Sequence, residues 1–216
     1  PDKVEAAKYM DELSPAAQII GAINTIVNDN GKLTGHITDG EGFLHNLKDH
    51  GIDIKGKKIT VAGGGGAATA IQVQCALDGA REITIFNKND AFFERTLQTA
   101  EKIKKAVPEC VVNVYDIDDT AKMTEEIQSS DIFANATIVG MKPLDDQSVV
   151  KDLSAFRPGL VVADAVYNPE ETKLLREAKE AGCTCVGGKG MLLWQGVAAF
   201  KLYTGQDMPV EDVKKL

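Results

Sequence analysis

The sequence contains no apolar run near the ~20 residues that a membrane-spanning helix requires, and no signal peptide is recognisable. Cysteine is scarce as well: Cys75, Cys110, Cys183 and Cys185 are the four among 216 residues. Disulfide frameworks belong to small secreted domains, so we expect free thiols and a cytoplasmic protein. Because Cys183 and Cys185 form C-x-C without a second pair or a histidine at ligand spacing, no metal site is expected.

Acidic residues outnumber basic residues. The chain has 24 Lys and Arg residues and 32 Asp and Glu residues, which gives a net charge of −8. This charge disfavours binding to nucleic acid or to an anionic membrane surface. No Ser or Cys nucleophile pattern surrounds His36, His45 or His50, so we interpret these histidines as structural or exposed. The remaining composition, 44% hydrophobic and 26% charged, is that of a globular protein with one large domain or two small ones.

From residue 57 onwards, apolar β-branched stretches alternate with helical patterns. The predicted strands cover residues 57–63, 82–88, 110–116, 131–137, 159–167 and 183–188. The predicted helices cover residues 67–79, 90–107, 122–129, 171–182 and 190–206. Such alternation predicts an α/β fold with a Rossmann-like, doubly wound parallel sheet.

The first 50 residues read differently. A helical pattern is followed by two β-branched stretches on either side of the turn signal Asn28-Asp29-Asn30-Gly31, and then by a helical stretch at 43–51. We therefore predict two domains. Residues 57–188 form a nucleotide-binding domain, and residues 1–50 with 190–216 form a smaller α/β domain, with a cleft between the two at the carboxyl ends of the parallel strands.

Four glycines, Gly63, Gly64, Gly65 and Gly66, separate the first of these strands from a helix that opens with Ala67. In a strand–glycine–helix unit the missing side chains let the backbone approach a pyrophosphate, which then lies at the helix N-terminus. A glycine turn that serves only helix–strand packing is the alternative. The alternating context favours a dinucleotide site.

The second strand ends at Phe86–Asp90, where a Rossmann domain contacts the adenosine ribose. A carboxylate there accepts hydrogen bonds from the free hydroxyls of NAD, whereas a basic residue pairs with the 2′-phosphate of NADP. The sequence offers Asn87, Lys88 and Asp90. Asp90 is equally suited to be the N-cap of the next helix. We favour NAD, with NADP left open.

In the smaller domain, Asn24, Thr38 and Asp39 lie beside turns, where side chains converge on a cleft, and Lys3 lies upstream. At this point the sequence resembles the shikimate dehydrogenase family, most closely its quinate/shikimate dehydrogenase branch. The stretches that carry the resemblance are PDK (1–3), ELSPAAQIIGAINTIVN (12–28), TDGEGF (38–43), GGGGA (63–67), FNKND (86–90), NATIVGM (135–141), VYNPEET (166–172) and GMLLWQG (190–196).

The resemblance implies a two-domain NAD(P)-dependent dehydrogenase that interconverts the C3 hydroxyl of shikimate or quinate with the 3-keto compound, in the shikimate pathway. It implies Lys3 and Asp39 as the catalytic pair, with Asn24, Thr38, Tyr167 and Gln195 around the substrate. The cofactor positions it implies, beyond the glycine loop and residues 87, 88 and 90, are Thr137, Val166, Tyr167, Asn168, Gly188 and Met191.

Oxidation of a secondary alcohol requires a group that removes the hydroxyl proton as hydride leaves carbon. A desolvated lysine can do so, and an adjacent aspartate can hold the same hydroxyl. Which of Lys3 and Asp39 is the formal base stays open, because a coupled pair shares its protons. Asn and Gln suit polyol substrates since their amides donate and accept hydrogen bonds, and no metal is needed because the nicotinamide takes the hydride.

The sequence departs from the family pattern in three places. The family's front segment, which carries a serine-bearing site for the substrate carboxylate, has no counterpart here, so we expect a partial substrate domain. Ile138 stands where some members have a polar or basic residue. The second strand lacks the arginine-rich pattern of strictly NADP-dependent members, which supports NAD.

Two rival functions remain open at this stage. Another two-domain Rossmann dehydrogenase, of the methylenetetrahydrofolate or amino-acid type, is not expected to combine GAINT and TDG with a C-terminal GMLLWQG. A nucleotide-binding sensor without turnover is the second rival, and the presence of Lys3 and Asp39 disfavours it. Substrate preference between shikimate and quinate and the presence of a homodimer are left open.

Overall fold

The computed structural model describes residues 3–91 and 93–215, which form nine strands and nine α-helices around two sheets. Residues 1, 2, 92 and 216 of the predicted segments lie outside the described residues. No helix within the described ranges is long and apolar enough to cross a membrane.

The larger sheet has six parallel strands in the order β6-β5-β4-β7-β8-β9. Their bounds are β4 Lys58–Ala62, β5 Glu82–Asn87, β6 Val111–Asp116, β7 Ile132–Asn135, β8 Val161–Asp164 and β9 Thr184–Val186. The strand order reverses between β4 and β7, as in dinucleotide-binding folds. Every residue of β4 is buried, because a central parallel strand is covered on both faces. The predicted α/β fold with a doubly wound parallel sheet is confirmed.

Four helices connect successive strands of this sheet. They are α4 Gly66–Leu77, α5 Phe93–Ala106, α6 Thr120–Gln128 and α7 Lys173–Glu180. Between β7 and β8 the chain crosses with a short 3-10 helix, Leu153–Ala155, and no α-helix. Both α6 and α7 begin at a side-chain cap, in which Asp119 and Thr172 respectively accept a backbone N–H of the first turn.

The smaller sheet has three strands in the order β1-β3-β2, with bounds β1 Glu12–Leu13, β2 Thr25–Asp29 and β3 Lys32–His36. Strands β2 and β3 are antiparallel, and β1 runs parallel to β3. Asn30 and Gly31 join the hairpin with φ angles of 52° and 96°, as the two-residue turns that match the strand twist require. In this part of the chain α1 is Lys3–Ala7, α2 Pro15–Ile20 packs against β1 and β3, and α3 Asp39–Asp49 follows β3.

Helix α3 lies between α4 and α8, which spans Gly188–Thr204, and the chain ends in α9, Val210–Val213. Glycines allow these close approaches. A Cβ on Gly42 would lie 2.6 Å from the backbone nitrogen of Gln195, and a Cβ on Gly40 would meet the backbone oxygen of Ala70 in α4. One buried cluster includes Phe43 of α3 together with side chains of β4 and α4, so the core is continuous across the predicted domain boundary.

Candidate active site

Lys3 and Asp39 form an ion pair. The Nζ atom of Lys3 lies 2.9 Å from Oδ2 of Asp39, with the lysine side chain 50% exposed and the aspartate side chain 18% exposed. Each is the first residue of its helix, α1 for Lys3 and α3 for Asp39. The sequence placed Asp39 beside a turn; in the structure it begins a helix, where the backbone dipole favours a carboxylate.

Asn24 and Thr38 extend this pair into a polar cluster. The Nδ2 atom of Asn24 donates to Oδ1 of Asp39 at 3.1 Å and to Oγ1 of Thr38 at 3.0 Å. Its Oδ1 accepts from the backbone N–H of Thr38 at 3.1 Å and from the hydroxyl of Thr25 at 3.0 Å. Asn24 therefore fixes the orientation of the Asp39 carboxylate with donors and acceptors that are themselves held in place.

Gln195 reaches the same cluster from α8. The hydroxyl of Thr38, which is 1% exposed, lies 3.4 Å from Oε1 of Gln195. Although Thr38 is the N-cap residue of α3, its side chain does not cap the helix but contacts Asn24 and Gln195 instead. The five predicted residues Lys3, Asn24, Thr38, Asp39 and Gln195 are thus in one connected group.

Tyr167 is not part of that group. It is 50% exposed on the segment after β8, and within the described ranges no hydrogen bond joins it to the Lys3–Asp39 pair. Its neighbour Val166 is buried, and Gly188, the first residue of α8, lies so close that a Cβ there would be 2.6 Å from the Val166 oxygen. Gln195 lies seven residues after Gly188 along the helix, a rise of about 10 Å. Helix α8 therefore sets the spacing between the segment after β8 and the polar cluster.

The glycine loop has room for a ligand where the sequence predicts phosphates. Gly65 is the N-cap of α4 and Gly66 its first residue, and a Cβ on either would meet no atom within 4 Å. Gly65, Gly66 and Ala67 are exposed. Gly63 has a φ of 123° and donates its N–H to the Phe86 oxygen at 2.7 Å. An open, glycine-lined helix N-terminus fits the pyrophosphate of a dinucleotide.

One residue that supports this loop was not identified from the sequence. Gln72 of α4 is 0% exposed and donates from Nε2 to the Gly63 oxygen at 2.9 Å, while its Oε1 has no partner among the described residues. A buried side-chain amide thereby fixes the carbonyl at the start of the loop. Two glutamines, Gln72 and Gln74, in the otherwise mostly apolar stretch ATAIQVQ were the available signal.

At the end of β5, Asn87 donates from Nδ2 to the hydroxyl of Thr96 in α5 at 2.9 Å. A Cβ on Gly64 would lie 2.5 Å from both of these side-chain atoms, so Asn87 borders the glycine loop. Lys88 and Asp90 are exposed, and the Asp90 oxygen accepts the backbone N–H of Phe93 at 3.0 Å. The two charges predicted to distinguish NAD from NADP thus lie on the surface beside this loop.

Of the remaining predicted cofactor residues, Thr137 follows β7, residues 166–168 follow β8, and Gly188 and Met191 lie in α8. Thr137 donates both its N–H and its hydroxyl to Oδ1 of Asn135, at 3.1 Å and 2.7 Å. Val166 is buried and Asn168 is exposed. Met191, by contrast, is 8% exposed and packs in the core beneath α8.

Together, a reversing parallel sheet with an open glycine loop and a neighbouring Lys–Asp pair define a Rossmann-type dinucleotide-binding protein. Comparisons with known proteins narrow this class. The family model "Shikimate 5′-dehydrogenase C-terminal domain" matches residues 188–216. The shikimate dehydrogenase (NADP(+)) of Listeria monocytogenes serotype 4b is 49% identical over 216 residues, which cover 100% of this chain and 74% of that protein.

Two further relatives agree. The quinate/shikimate dehydrogenase of Escherichia coli O139:H28 is 50% identical over 100% of this chain and 75% of its own length. The crystal structure of shikimate 5-dehydrogenase from Listeria monocytogenes, in complex with shikimate and NAD, superposes with a TM-score of 0.97 at 49% identity, covering 100% of this chain and 74% of that one. The chain therefore belongs to the shikimate dehydrogenase family, and the resemblance inferred from the sequence is confirmed.

Proposed function

We propose that this protein is an NAD(P)-dependent dehydrogenase that interconverts the C3 hydroxyl of shikimate or quinate with the corresponding ketone. The observation that carries the proposal is the Lys3–Asp39 pair, held at 2.9 Å and oriented by Asn24, in a member of the shikimate dehydrogenase family. The substrates named for the relatives, shikimate and quinate, are polyols whose hydroxyls match the amide and hydroxyl groups of the cluster.

In this proposal Lys3 and Asp39 handle the proton of the reacting hydroxyl. The hydroxyl lies within hydrogen-bond reach of both the Lys3 side-chain nitrogen and the Asp39 carboxylate, and the pair removes its proton on oxidation and returns it on reduction. Asn24 keeps Oδ1 of Asp39 occupied, which leaves Oδ2 for the lysine and the substrate. When bound, the nicotinamide supplies the hydride acceptor.

We assign Thr38 and Gln195 to the neighbouring substrate hydroxyls. Thr38 is buried and Gln195 is partly exposed, so the glutamine amide is the one that a ligand in the cleft reaches. The exposed ring of Tyr167 is assigned to the border between substrate and nicotinamide, since it follows β8 directly. The spacing of about 10 Å along α8 between Gly188 and Gln195 is enough for a nicotinamide and a six-membered ring side by side.

For the cofactor, we propose that the pyrophosphate lies over Gly65, Gly66 and Ala67 and that the adenosine ribose faces residues 87–90. The absence of any atom within 4 Å of a Cβ on Gly65 or Gly66 supports this placement. The nicotinamide half is assigned to the segments that carry Thr137 and residues 166–168. Because the segment at the end of β5 lacks an arginine-rich pattern, NAD is favoured and NADP is tested beside it.

We also propose that the protein acts in the cytoplasm on a freely diffusing small molecule. All four cysteines are free, and burial raises the pKa of the Cys110 thiol to about 11. Unpaired cysteines of this kind are usual in reducing compartments.

The test is a spectrophotometric assay of reduced nicotinamide formation at mildly alkaline pH, with shikimate and quinate each combined with NAD and with NADP. We expect turnover with at least one pair and its loss in both Lys3→Ala and Asp39→Ala. Lys8→Ala is the matched control. Lys8 is an exposed lysine just after α1, and its side chain pairs with Glu5 at 2.7 Å rather than with Asp39.

Nucleotide binding without turnover of any of the four pairs would contradict the dehydrogenase assignment and would favour a sensor. Turnover that survives both substitutions would contradict the roles given to Lys3 and Asp39. Loss of turnover in Lys8→Ala as well would show that the effect reflects general damage to α1.

A further inference from the structure

A buried carboxylate lies between the two segments assigned to the nicotinamide. Asp164 is the last residue of β8 and is 2% exposed. Its Oδ1 accepts the backbone N–H of Val166 at 3.0 Å and Nδ2 of Asn135 at 2.9 Å, and its Oδ2 accepts the hydroxyl of Thr172 at 2.7 Å. One side chain thus holds the start of the segment after β8, its end at Thr172, and the end of β7.

Asn135 passes this constraint on to the segment after β7. Besides donating to Asp164, its Nδ2 donates to the Val139 oxygen at 3.0 Å. Its Oδ1 accepts both the N–H and the hydroxyl of Thr137, and the Thr137 hydroxyl accepts the N–H of Val139 at 3.1 Å. Asn135 is 1% exposed, so no polar atom of this amide is left to solvent. The position of Thr137 is therefore fixed through Asn135 by Asp164.

Thr172 closes the network on the other side. It is 0% exposed, caps α7 by accepting the N–H of Leu175 at 3.3 Å, and donates its hydroxyl to Asp164. Gly140, with a φ of 101°, passes close to this contact, since a Cβ there would be 3.2 Å from Cγ2 of Thr172. The two segments therefore contact each other around the Asp164–Thr172 hydrogen bond.

The partners of Asp164 are all neutral. Burial raises the pKa of the Asp164 carboxyl to about 6, although the hydrogen bonds from Thr172, Val166 and Asn135 act in the opposite direction. A buried carboxylate without a cationic partner is costly. What distinguishes a carboxylate from other small side chains is that its two oxygens accept several hydrogen bonds at once.

We propose that Asp164 is a positioning residue for the nicotinamide half of the bound dinucleotide, acting by holding the Thr137 and Val166–Asn168 segments in a binding arrangement through its hydrogen bonds to Asn135, Val166 and Thr172. The inference rests on the proposed function, since it requires a dinucleotide site. It concerns one half of that site. The glycine loop and Asn87 are held by other contacts, from Gln72 and Thr96, in which Asp164 has no part.

The test compares two ligands. NADH carries the nicotinamide, whereas ADP-ribose has the same adenosine and pyrophosphate without it. Calorimetric affinities for both are measured on the parent protein, Asp164→Ala and Asp164→Asn. We expect Asp164→Ala to weaken NADH binding about tenfold or more, on the scale of one lost charge-assisted hydrogen bond, and to leave ADP-ribose binding nearly unchanged.

Asp164→Asn is expected to have a smaller effect in the same direction. The asparagine oxygen can keep the bonds from Val166 and Asn135, and only the bond from the Thr172 hydroxyl must reverse. Because the readout is the ratio of two affinities, a partly unfolded preparation lowers both titration stoichiometries and leaves the ratio unaffected. If Asp164→Ala does not fold, the asparagine variant alone decides the question.

Glu126→Gln is the matched control. Glu126 of α6 is also a buried carboxylate, but it pairs with Lys58 at 2.7 Å, at the residue where β4 begins and hence at the opposite end of the parallel strands. We expect this variant to lose stability without changing the ratio of NADH to ADP-ribose affinity.

Two results would overturn the inference. One is a ratio of NADH to ADP-ribose affinity that is unchanged in Asp164→Ala or, where that variant does not fold, in Asp164→Asn. The other is a parent protein that binds NADH no more tightly than ADP-ribose. A parent protein that binds neither ligand would instead contradict the proposed function, and this inference with it. A selective loss of NADH affinity relative to ADP-ribose in Glu126→Gln as well would assign the effect to loss of stability.

Discussion

The ammonium of Lys3 and the carboxylate of Asp39 lie 2.9 Å apart although 36 positions separate them in the sequence. The pair joins the first residues of α1 and α3. Half of the lysine side chain remains exposed, so this contact is screened by solvent, and exposed ion pairs contribute little to folding. The geometry thus favours a role in chemistry over a role in stability.

We therefore expect Lys3→Ala to separate activity from stability. Its free energy of unfolding should fall by less than about 1 kcal/mol, while kcat falls by about a hundredfold or more because a group that handles the substrate proton is lost. Urea unfolding and initial-rate kinetics on the same preparation measure both. A large loss of stability with unchanged kcat would contradict the assignment.

In the glycine loop, replacement of Gly65 by alanine and replacement of Gly63 by alanine are expected to have different effects on stability and ligand binding. In Gly65→Ala the new Cβ meets no protein atom within 4 Å, so stability should change by less than about 0.5 kcal/mol. Affinity for both NADH and ADP-ribose should fall, since the methyl group takes space assigned to the pyrophosphate.

In Gly63→Ala the φ of 123° is strained for alanine and the Cβ would lie 2.7 Å from the Ala136 oxygen. A loss of about 1–3 kcal/mol in stability is expected. Thermal unfolding and calorimetry distinguish the two variants. Unchanged ligand binding in Gly65→Ala would place the pyrophosphate elsewhere.

Replacement of Gln72 by leucine is expected to weaken NADH and ADP-ribose binding alike. The substitution removes the donor to the buried Gly63 oxygen, at 2.9 Å, and so loosens the loop that both ligands share. Stability should fall by about 1–3 kcal/mol, the cost of an unpaired buried acceptor. Gln74→Ala is the control, because Gln74 lies on the same helix and bonds only the exposed Asp78. A selective loss for NADH would contradict this assignment.

The buried Asp164 predicts a specific dependence of stability on pH. Burial raises its pKa from 3.8 to about 6 in the folded protein, so the folded state holds this proton more tightly than the unfolded chain. The resulting stabilisation is complete below the unfolded pKa and is lost as the pH rises through about 6. A raise of about two units corresponds to about 3 kcal/mol.

The measurement is the difference in unfolding free energy between the parent and Asp164→Asn, from about pH 4 to about pH 8. The unfolding free energy of the parent should fall relative to that of the variant as the pH rises. Glu126 acts in the opposite sense: burial alone would raise its pKa, but hydrogen bonds from Lys58 and Lys122 outweigh burial and lower it. Since both proteins contain Glu126, its contribution cancels. A flat difference would show that Asp164 titrates normally.

The alternation of apolar strands and helices was enough to predict the six-stranded sheet, because a strand buried on both faces leaves a continuous apolar run such as KITVA at 58–62. The glycine loop was predictable for a similar reason, since few other arrangements need four glycines between a strand and a helix. The approach of Lys3 to Asp39 was implied by the family resemblance and not by local patterns.

The residues that hold the ligand-binding segments in place could not be predicted from the sequence, because their roles arise from tertiary contacts. Asp164 in VVADAVY reads as one polar residue at the end of an apolar strand, and nothing local indicates Asn135, 29 positions earlier, as its partner. The start of α3 at Asp39 was missed because TDG resembles a turn. The helix begins there since Gly40 and Gly42 permit contacts with α4 and α8 that no other side chain would allow.

Those two glycines have a consequence for the geometry of the cleft. Main-chain atoms of Ala70 in α4 and of Gln195 in α8 limit any sliding or rotation of α3 between them. The register between the Asp39 carboxylate and the open N-terminus of α4 is therefore set by the backbone, independently of the side chains that line the cleft. Substitutions of side chains that line the cleft are therefore expected to leave the spacing between Asp39 and the N-terminus of α4 unchanged.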